Sequence, residues 1–212
     1  MSETVLRDAD IREPLFDFLE EKYGKIRVIE EKTMGRSRAD VLMITEDGIT
    51  GIEIKSDADT YTRLAGQVKD YDLNFDRNMV VVGTKHAMHI EEHVPDYWGI
   101  ITCEEGDGTP DFYILREPKA NPKKDMHRKI RILWRPELAH IQERNQLPAY
   151  RQKSKKFVAD KLCEALLPEV LDREISAELF ERDYNTIEET LNAFRKEAGR
   201  PGRKRKRVRR RR

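Results

Sequence analysis

The segment Gly51-Ile52-Glu53-Ile54-Lys55 alternates apolar and charged side chains, the pattern of a β-strand with one face in a core. Successive strand side chains point to opposite faces, so Ile52 and Ile54 turn inward while Glu53 and Lys55 project together. Glu46-Asp47-Gly48 is a turn signal just upstream. It joins strands expected at Asp40–Thr45 and Ile49–Lys55 into an antiparallel hairpin. Asp40 and Glu53, on adjacent strands, can then hold a divalent cation, which prefers hard oxygen ligands. Lys55 falls where an attacking water would stand, as its orienter or as a stabiliser of charge. An edge strand with one polar face gives the same alternation, and E-x-K alone occurs in almost any protein. The surroundings have to decide.

Residues 10–23 read as a helix, with Asp10 as cap, Glu13 in the capping-box position and an apolar stripe of Ile11, Leu15, Phe18 and Leu19. Gly24 ends it. A strand follows at Ile26–Glu31, in which Glu30 and Glu31 face opposite ways. Gly35-Arg36-Ser37-Arg38 turns the chain back, and its two arginines can neutralise phosphate. After the loop Ser56-Asp57-Ala58-Asp59-Thr60, a helix is expected over 60–74. Arg63, Gln67 and Tyr71 recur every fourth residue there and share one face. Met79–Gly83 is a near-continuous apolar run, the mark of a strand covered on both faces, and Gly99–Cys103 reads as another strand.

The stretch Glu31 to Tyr71 resembles the PD-(D/E)XK nuclease superfamily, and is most similar to small bacterial and phage members near the VRR-NUC and MmcB-like groups. The matching pieces are Asp40 in Arg38-Ala39-Asp40, the E-x-K of Glu53 and Lys55, and the helix Arg63-Leu64-x-x-Gln67-x-x-x-Tyr71. Ala39 replaces the familiar proline. The likeness covers roughly residues 8 to 105. It implies that Asp40 and Glu53 bind Mg²⁺ (or Mn²⁺), with the Ile54 carbonyl and Glu31 as further ligands, Glu31 having the family's spacing before Asp40. Lys55 and Gln67 would complete the catalytic set, Gln67 reaching the metal-bound water or the scissile phosphate. Arg36, Arg38, Arg63 and Tyr71 would meet nucleic acid. Glu13, at the start of the first helix, stands where the superfamily often supplies another carboxylate; a role as a capping residue is an equal alternative.

Charge is unevenly distributed. Charged residues make up 38% of the 212-residue chain, above the roughly 25% of ordinary soluble domains, yet the net charge is only +1. Residues 200–212, RPGRKRKRVRRRR, carry ten Lys or Arg and no acid, which leaves a net charge of −9 on 1–199. Such a block repels itself and has nothing apolar to bury, so it is expected to be disordered and to bind polyanions. Arg200, Arg203, Lys204 and Arg205 are its foremost nucleic-acid contacts, and Gly199-Arg200-Pro201 resembles the core of an AT-hook. A localisation signal, in a eukaryotic source, and a merely solvated tail are the rival readings. No apolar run reaches the roughly 18 residues a membrane span needs, and MSETVLRDAD lacks the apolar core of a secretory signal. Cys103 and Cys163 stand far apart without a C-x-x-C. A reduced cytoplasm is expected, in a nucleoid-associated or phage-encoded protein.

His89-Ile90-Glu91-Glu92-His93 fits H-x-x-E-H, which on a helix puts two imidazoles one turn apart on a zinc. Pro95 leaves that helix little room, so zinc binding is a minor alternative to an exposed histidine face. Glu104–Lys124 is loop-like apart from a short strand at Phe112–Leu115 and forms the expected domain boundary. Beyond it come a helix opened by Trp134-Arg135-Pro136, a basic linker Arg151–Lys156, and a helix carrying Phe157, Val158, Leu162 and Leu166. A last helical stretch spans Glu174–Ala198, with Leu179, Phe180, Ile187, Leu191 and Phe194. Helix, basic linker and helix resemble a SAP-type nucleic-acid module; a helical hairpin packed on the core is the alternative.

The expected protein is thus α/β. A restriction-endonuclease-like core (1–120), with a central mixed sheet flanked by helices, precedes a small C-terminal helical domain (126–199) and the basic tail (200–212). The expected function is metal-dependent hydrolysis of DNA phosphodiesters, in repair, recombination or mobile-element and phage biology, with RNA left open as a substrate. A homodimer would suit a cut through both strands. The alternative is a non-catalytic nucleic-acid-binding protein on the same fold.

Overall fold

A computed structural model of the chain describes residues 6–106 and 109–182, with positions 189, 193, 194 and 196 beyond them. The chain opens with α1 (Asp8–Tyr23), capped where the Arg7 N–H donates to Asp10 Oδ2 at 2.9 Å. Three strands follow as an antiparallel meander: β1 (Arg27–Met34), β2 (Ser37–Thr45) and β3 (Gly48–Lys55). A short 3₁₀ turn, Tyr61–Arg63, leads into α2 (Leu64–Asn74). That helix carries the chain over to β4 (Arg77–Gly83), which lies parallel to β3. The next connection holds a single helical turn, α3 (Thr84–Ala87), and a 3₁₀ turn, Ile90–Glu92. It returns to β5 (Gly99–Glu105), parallel to β4, and β6 (Pro110–Arg116) closes the sheet antiparallel to β5. The result is one six-stranded mixed sheet in sequence order.

Each face of the sheet has its own apolar cluster. Ile11, Leu15 and Leu19 of α1 meet Val41, Met43, Ile52, Ile54, Met79, Val81 and Ile101 on one face. On the other, Leu64, Tyr71 and Phe75 meet Leu42, Ile44, Ile49, Val80 and Val82. With both faces covered, every residue of β3 is buried, so the edge-strand alternative for Gly51–Lys55 is ruled out.

The C-terminal region is helical and sits on the α2 face. It comprises α4 (Met126–Lys129), α5 (Arg135–Arg144), α6 (Lys155–Ala165) and α7 (Pro168–Phe180). Ile130, Leu138, Ile141, Leu162, Leu171 and Ile175 belong to the same cluster as the sheet residues. A charge-balanced box pins them further. Lys129 Nζ, fully buried, lies 2.6 Å from both Asp76 Oδ2 and Asp172 Oδ1. Lys124 joins the same two carboxylates at 2.7 and 2.6 Å. The last helix starts earlier than the expected 174–198, because Leu167-Pro168 supplies a proline in the first turn, and it ends at Phe180; beyond Arg182 the described positions of that stretch, 189, 193, 194 and 196, are helical. Ile187, Leu191 and the tail contacts Arg200, Arg203, Lys204 and Arg205 lie outside the described residues. Among the described residues, no helix is long and apolar enough to cross a membrane.

Candidate active site

The hydrogen-bond ladder between β2 and β3 runs from the Gly48 turn to Val41–Ile52 and stops there, one step short of Asp40 and Glu53. On its other side, β2 pairs with β1 at Val41 and again at Ala39, but Asp40 is skipped. Asp40 therefore sits where the ladder opens, and the alternation of β2 slips with it. Ala39 and Leu42 share the α2 face, while Val41 and Met43 face α1. In the gap the Asp40 carboxylate, through Oδ2, accepts the Ile54 N–H at 3.0 Å.

Tyr71 fills the rest of the opening. Its hydroxyl accepts the Asp40 N–H at 3.2 Å and lies 3.2 Å from the Ile52 carbonyl, two backbone groups left over where the ladder ends. Its own proton goes to the shorter contact, Glu53 Oε2 at 2.7 Å. The phenol reaches this depth because residue 51 is glycine. A Cβ there would stand 2.2 Å from the Phe75 ring and 2.8 Å from Tyr71. Burial and the charges of Glu53 and Asp40 push the Tyr71 hydroxyl well above its usual pKa, so it remains a donor.

Glu53 is almost wholly buried, at 1% exposure. Besides Tyr71 it receives Lys55 Nζ at 2.5 Å and the Gln67 amide, both on Oε1. Lys55 is itself buried. Asp40 is pushed up to about 6, by burial first and by the Glu53 charge second, against the pull of the Ile54 N–H and of Lys55. Two neighbouring carboxylates, one resisting ionisation because of burial and then because of the other, are a donor set that a hard cation would relieve.

These groups line an open cleft of about 720 Å³. Asp40, Glu53, Ile54, Lys55 and Gln67 are joined in its lining by Glu31, Arg36, Arg38 and Arg63. The three arginines are exposed. Glu31 has a left-handed backbone, φ 51°, at the position β2 skips, and it bonds Arg38 at 3.2 Å. Glu30, its neighbour, bonds Arg12 instead.

Two expected site residues do not stand in the cleft lining. Tyr71 has no exposed surface, so it cannot touch nucleic acid. The stripe Arg63, Gln67, Tyr71 descends from solvent into the core, exposed, half-buried and buried in turn. Glu13 is exposed and outside the cleft. At 100° per residue it stands about 200° around α1 from the buried Ile11.

The residue that α1 does send to the site was missed by sequence reasoning. Arg12 has its guanidinium 3.7 Å from Asp40 Oδ1 and donates to the Asp40 carbonyl at 3.2 Å, anchored by Asp8 at 2.7 Å. Burial works against its charge, but these acids hold its pKa above the ordinary value. The signal was present as an Asp8/Arg12 pair one turn apart, beside the apolar stripe.

The H-x-x-E-H segment forms no zinc-binding helix. Its middle is one 3₁₀ turn stopped before Pro95, and among the described residues no three His, Cys, Asp or Glu side chains gather as a metal cluster.

Comparison with known proteins places the chain in a family. The model for bacteriophage P4 protein cII matches residues 1–201, so the chain belongs to the phage P4 cII family. Protein cII of Enterobacteria phage P4 is 25% identical over 116 residues, which are 53% of this chain and 44% of that protein. The matched part is thus under half of that relative's length. Among solved structures, SfsA of Pyrococcus furiosus, in complex with Ca²⁺, is similar over 55% of this chain and 67% of its own, with 15% identity and a TM-score of 0.34. A likeness that low carries no argument about fold or function.

Proposed function

We propose that this member of the phage P4 cII family is a metal-dependent nuclease of the PD-(D/E)XK type, cutting DNA phosphodiesters in its open cleft. One observation carries the reading. Where the β2–β3 ladder ends, two carboxylates, an ammonium and a carboxamide converge on the floor of a cleft rimmed by exposed arginines. Each acid has a basic partner, Glu53 in Lys55 and Asp40 in Arg12. Here Asp40 is kept beside Glu53 although their charges oppose each other.

Asp40 and Glu53 would hold Mg²⁺ or Mn²⁺, with the Ile54 carbonyl as a further oxygen donor; Glu31 lines the rim, bonded to Arg38, and does not gather with them. Bound there, the cation supplies Lewis-acid activation of water and offsets charge on the phosphoryl group. The protein's own groups do the rest. The Ile54 N–H fixes one Asp40 oxygen, and Tyr71 fixes one oxygen of Glu53, so both carboxylates are set before substrate arrives. Lys55 holds a positive charge beside the reacting phosphate, where it stabilises the developing anion. Gln67 orients water or a phosphate oxygen through the amide it now gives to Glu53. Arg36, Arg38 and Arg63 carry the flanking phosphates, contacts that position a strand without reading its sequence.

The test is incubation of the full-length protein with labelled single-stranded, branched and duplex DNA in Mg²⁺ or Mn²⁺. Cleavage is expected, and it should vanish in Asp40→Asn and Glu53→Gln while circular dichroism stays unchanged. Binding without cleavage in either metal would reduce the protein to a nucleic-acid binder. Cleavage that survives both variants would move the site elsewhere.

A further inference from the structure

Three rings meet beside residues that line the cleft, and nothing in the chemistry above uses them. Tyr61 opens the 3₁₀ turn before α2, and its neighbours Asp59, Thr62 and Arg63 line the cleft. The His93 ring lies 4.1 Å from the Tyr61 ring, centroid to centroid, at 35°. His86 lies 4.7 Å away at 54°. The group is fastened to the rim. The Tyr61 hydroxyl donates to the His86 carbonyl at 3.2 Å, and His86 Nε2 is 3.2 Å from the Asp59 carbonyl. Below it the same connection is anchored by buried Ile90 and Val94. Above, His93 is exposed and Tyr61 half-buried, and Arg63, two residues on, is exposed in the cleft lining.

We infer that this stack seats an unpaired nucleobase of the strand whose backbone lies in the cleft. The substrate class is therefore DNA with single-stranded character at the cut, such as a single strand, a flap or a frayed end. Inside a duplex both faces of a base are covered by its neighbours, so only an unpaired base can lie on side-chain rings. Stacking tolerates any sequence because every base has a π-face, which suits a cleft whose other contacts are to phosphate. Arg63, in the cleft lining, supplies a cation for the backbone next to the rings. The inference rests on the nuclease reading only in taking the cleft's ligand to be a DNA strand.

The experiment is equilibrium binding of the full-length protein, in EDTA at fixed salt, to a labelled oligo-dT and to a duplex of the same length. His93 lies at the surface, so His93→Ala should leave the fold intact. It should weaken oligo-dT binding about tenfold, within the roughly 5–150-fold that base stacking supplies, and leave duplex binding unchanged. His93→Phe and Tyr61→Phe, which keep the rings, should bind oligo-dT like the parent. Equal losses on both ligands, or no loss on oligo-dT, overturns the inference. Since no metal is present, the two readings fail separately. A parent that binds oligo-dT through the stack but never cuts removes only the nuclease reading. One that cuts but ignores His93→Ala removes only the stack.

Discussion

Asp40→Asn should make the metal-free protein more stable, although it destroys the site. In the folded chain Asp40 titrates near 6 instead of near 3.8, chiefly because of burial and the charge on Glu53. About two pKa units correspond to ~3 kcal/mol of folding free energy lost once Asp40 is ionised. Asparagine keeps an oxygen for the Ile54 N–H but gives up the contact with Arg12, worth up to ~1 kcal/mol. The net gain at pH 8 should be roughly 1–2 kcal/mol, or roughly 2–8 °C in Tm for a chain of this size. The pH dependence fixes the cause. Below about pH 4 Asp40 is protonated in both folded and unfolded chains, and parent and variant should melt together on this account. As pH rises from about 4 through about 6, the unfolded chain releases the proton first, so the parent loses stability and the gap opens. Above that it should stay constant. Thermal unfolding in EDTA at several pH values measures it, and added Mg²⁺ should raise the parent's Tm more than the variant's. A variant less stable than the parent at pH 8, or a gap that does not change between pH 4 and 8, would refute the argument.

Lys55→Ala should retain Mg²⁺ binding by calorimetry, since an ammonium is no ligand, yet lose about 10²-fold or more in turnover; Gln67→Ala should show a smaller loss. Tyr71→Phe keeps the ring but strands the Asp40 N–H and removes a donor from Glu53. It should cost about 1–3 kcal/mol in urea unfolding and lower turnover by misplacing both carboxylates. Deleting 200–212 should flatten the slope of log affinity against log salt for duplex DNA, while turnover at saturating DNA persists. Parallel slopes would assign the tail another task.

Much of this arrangement was legible in the sequence because it depends on period-two alternation. Gly51–Lys55 fixed the two faces of β3, and Glu46-Asp47-Gly48 fixed the hairpin, which together bring Asp40 to Glu53. What alternation cannot show is a place where it fails. The left-handed Glu31 and the unpaired Asp40 are such places, and the Asp40 N–H is met by a tyrosine arriving from a helix. Tyr71 was found by its spacing but misjudged, since spacing gives a helix face and not the angle at which that helix meets a sheet. Arg12 was missed for a different reason. The helix expected from Asp10 leaves Asp8, the partner that anchors Arg12, outside it.

Gly51 and Tyr71 also make a statement about descent. A methyl group at 51 and rings at both 71 and 75 cannot occupy the same space. The first change of Gly51 in any lineage is therefore paid for at the carboxylates of Asp40 and Glu53, unless a ring has already shrunk. Substitutions in this pocket should become fixed in one order, the aromatic before the glycine. Across relatives that keep the acids, the three positions should vary as a single character.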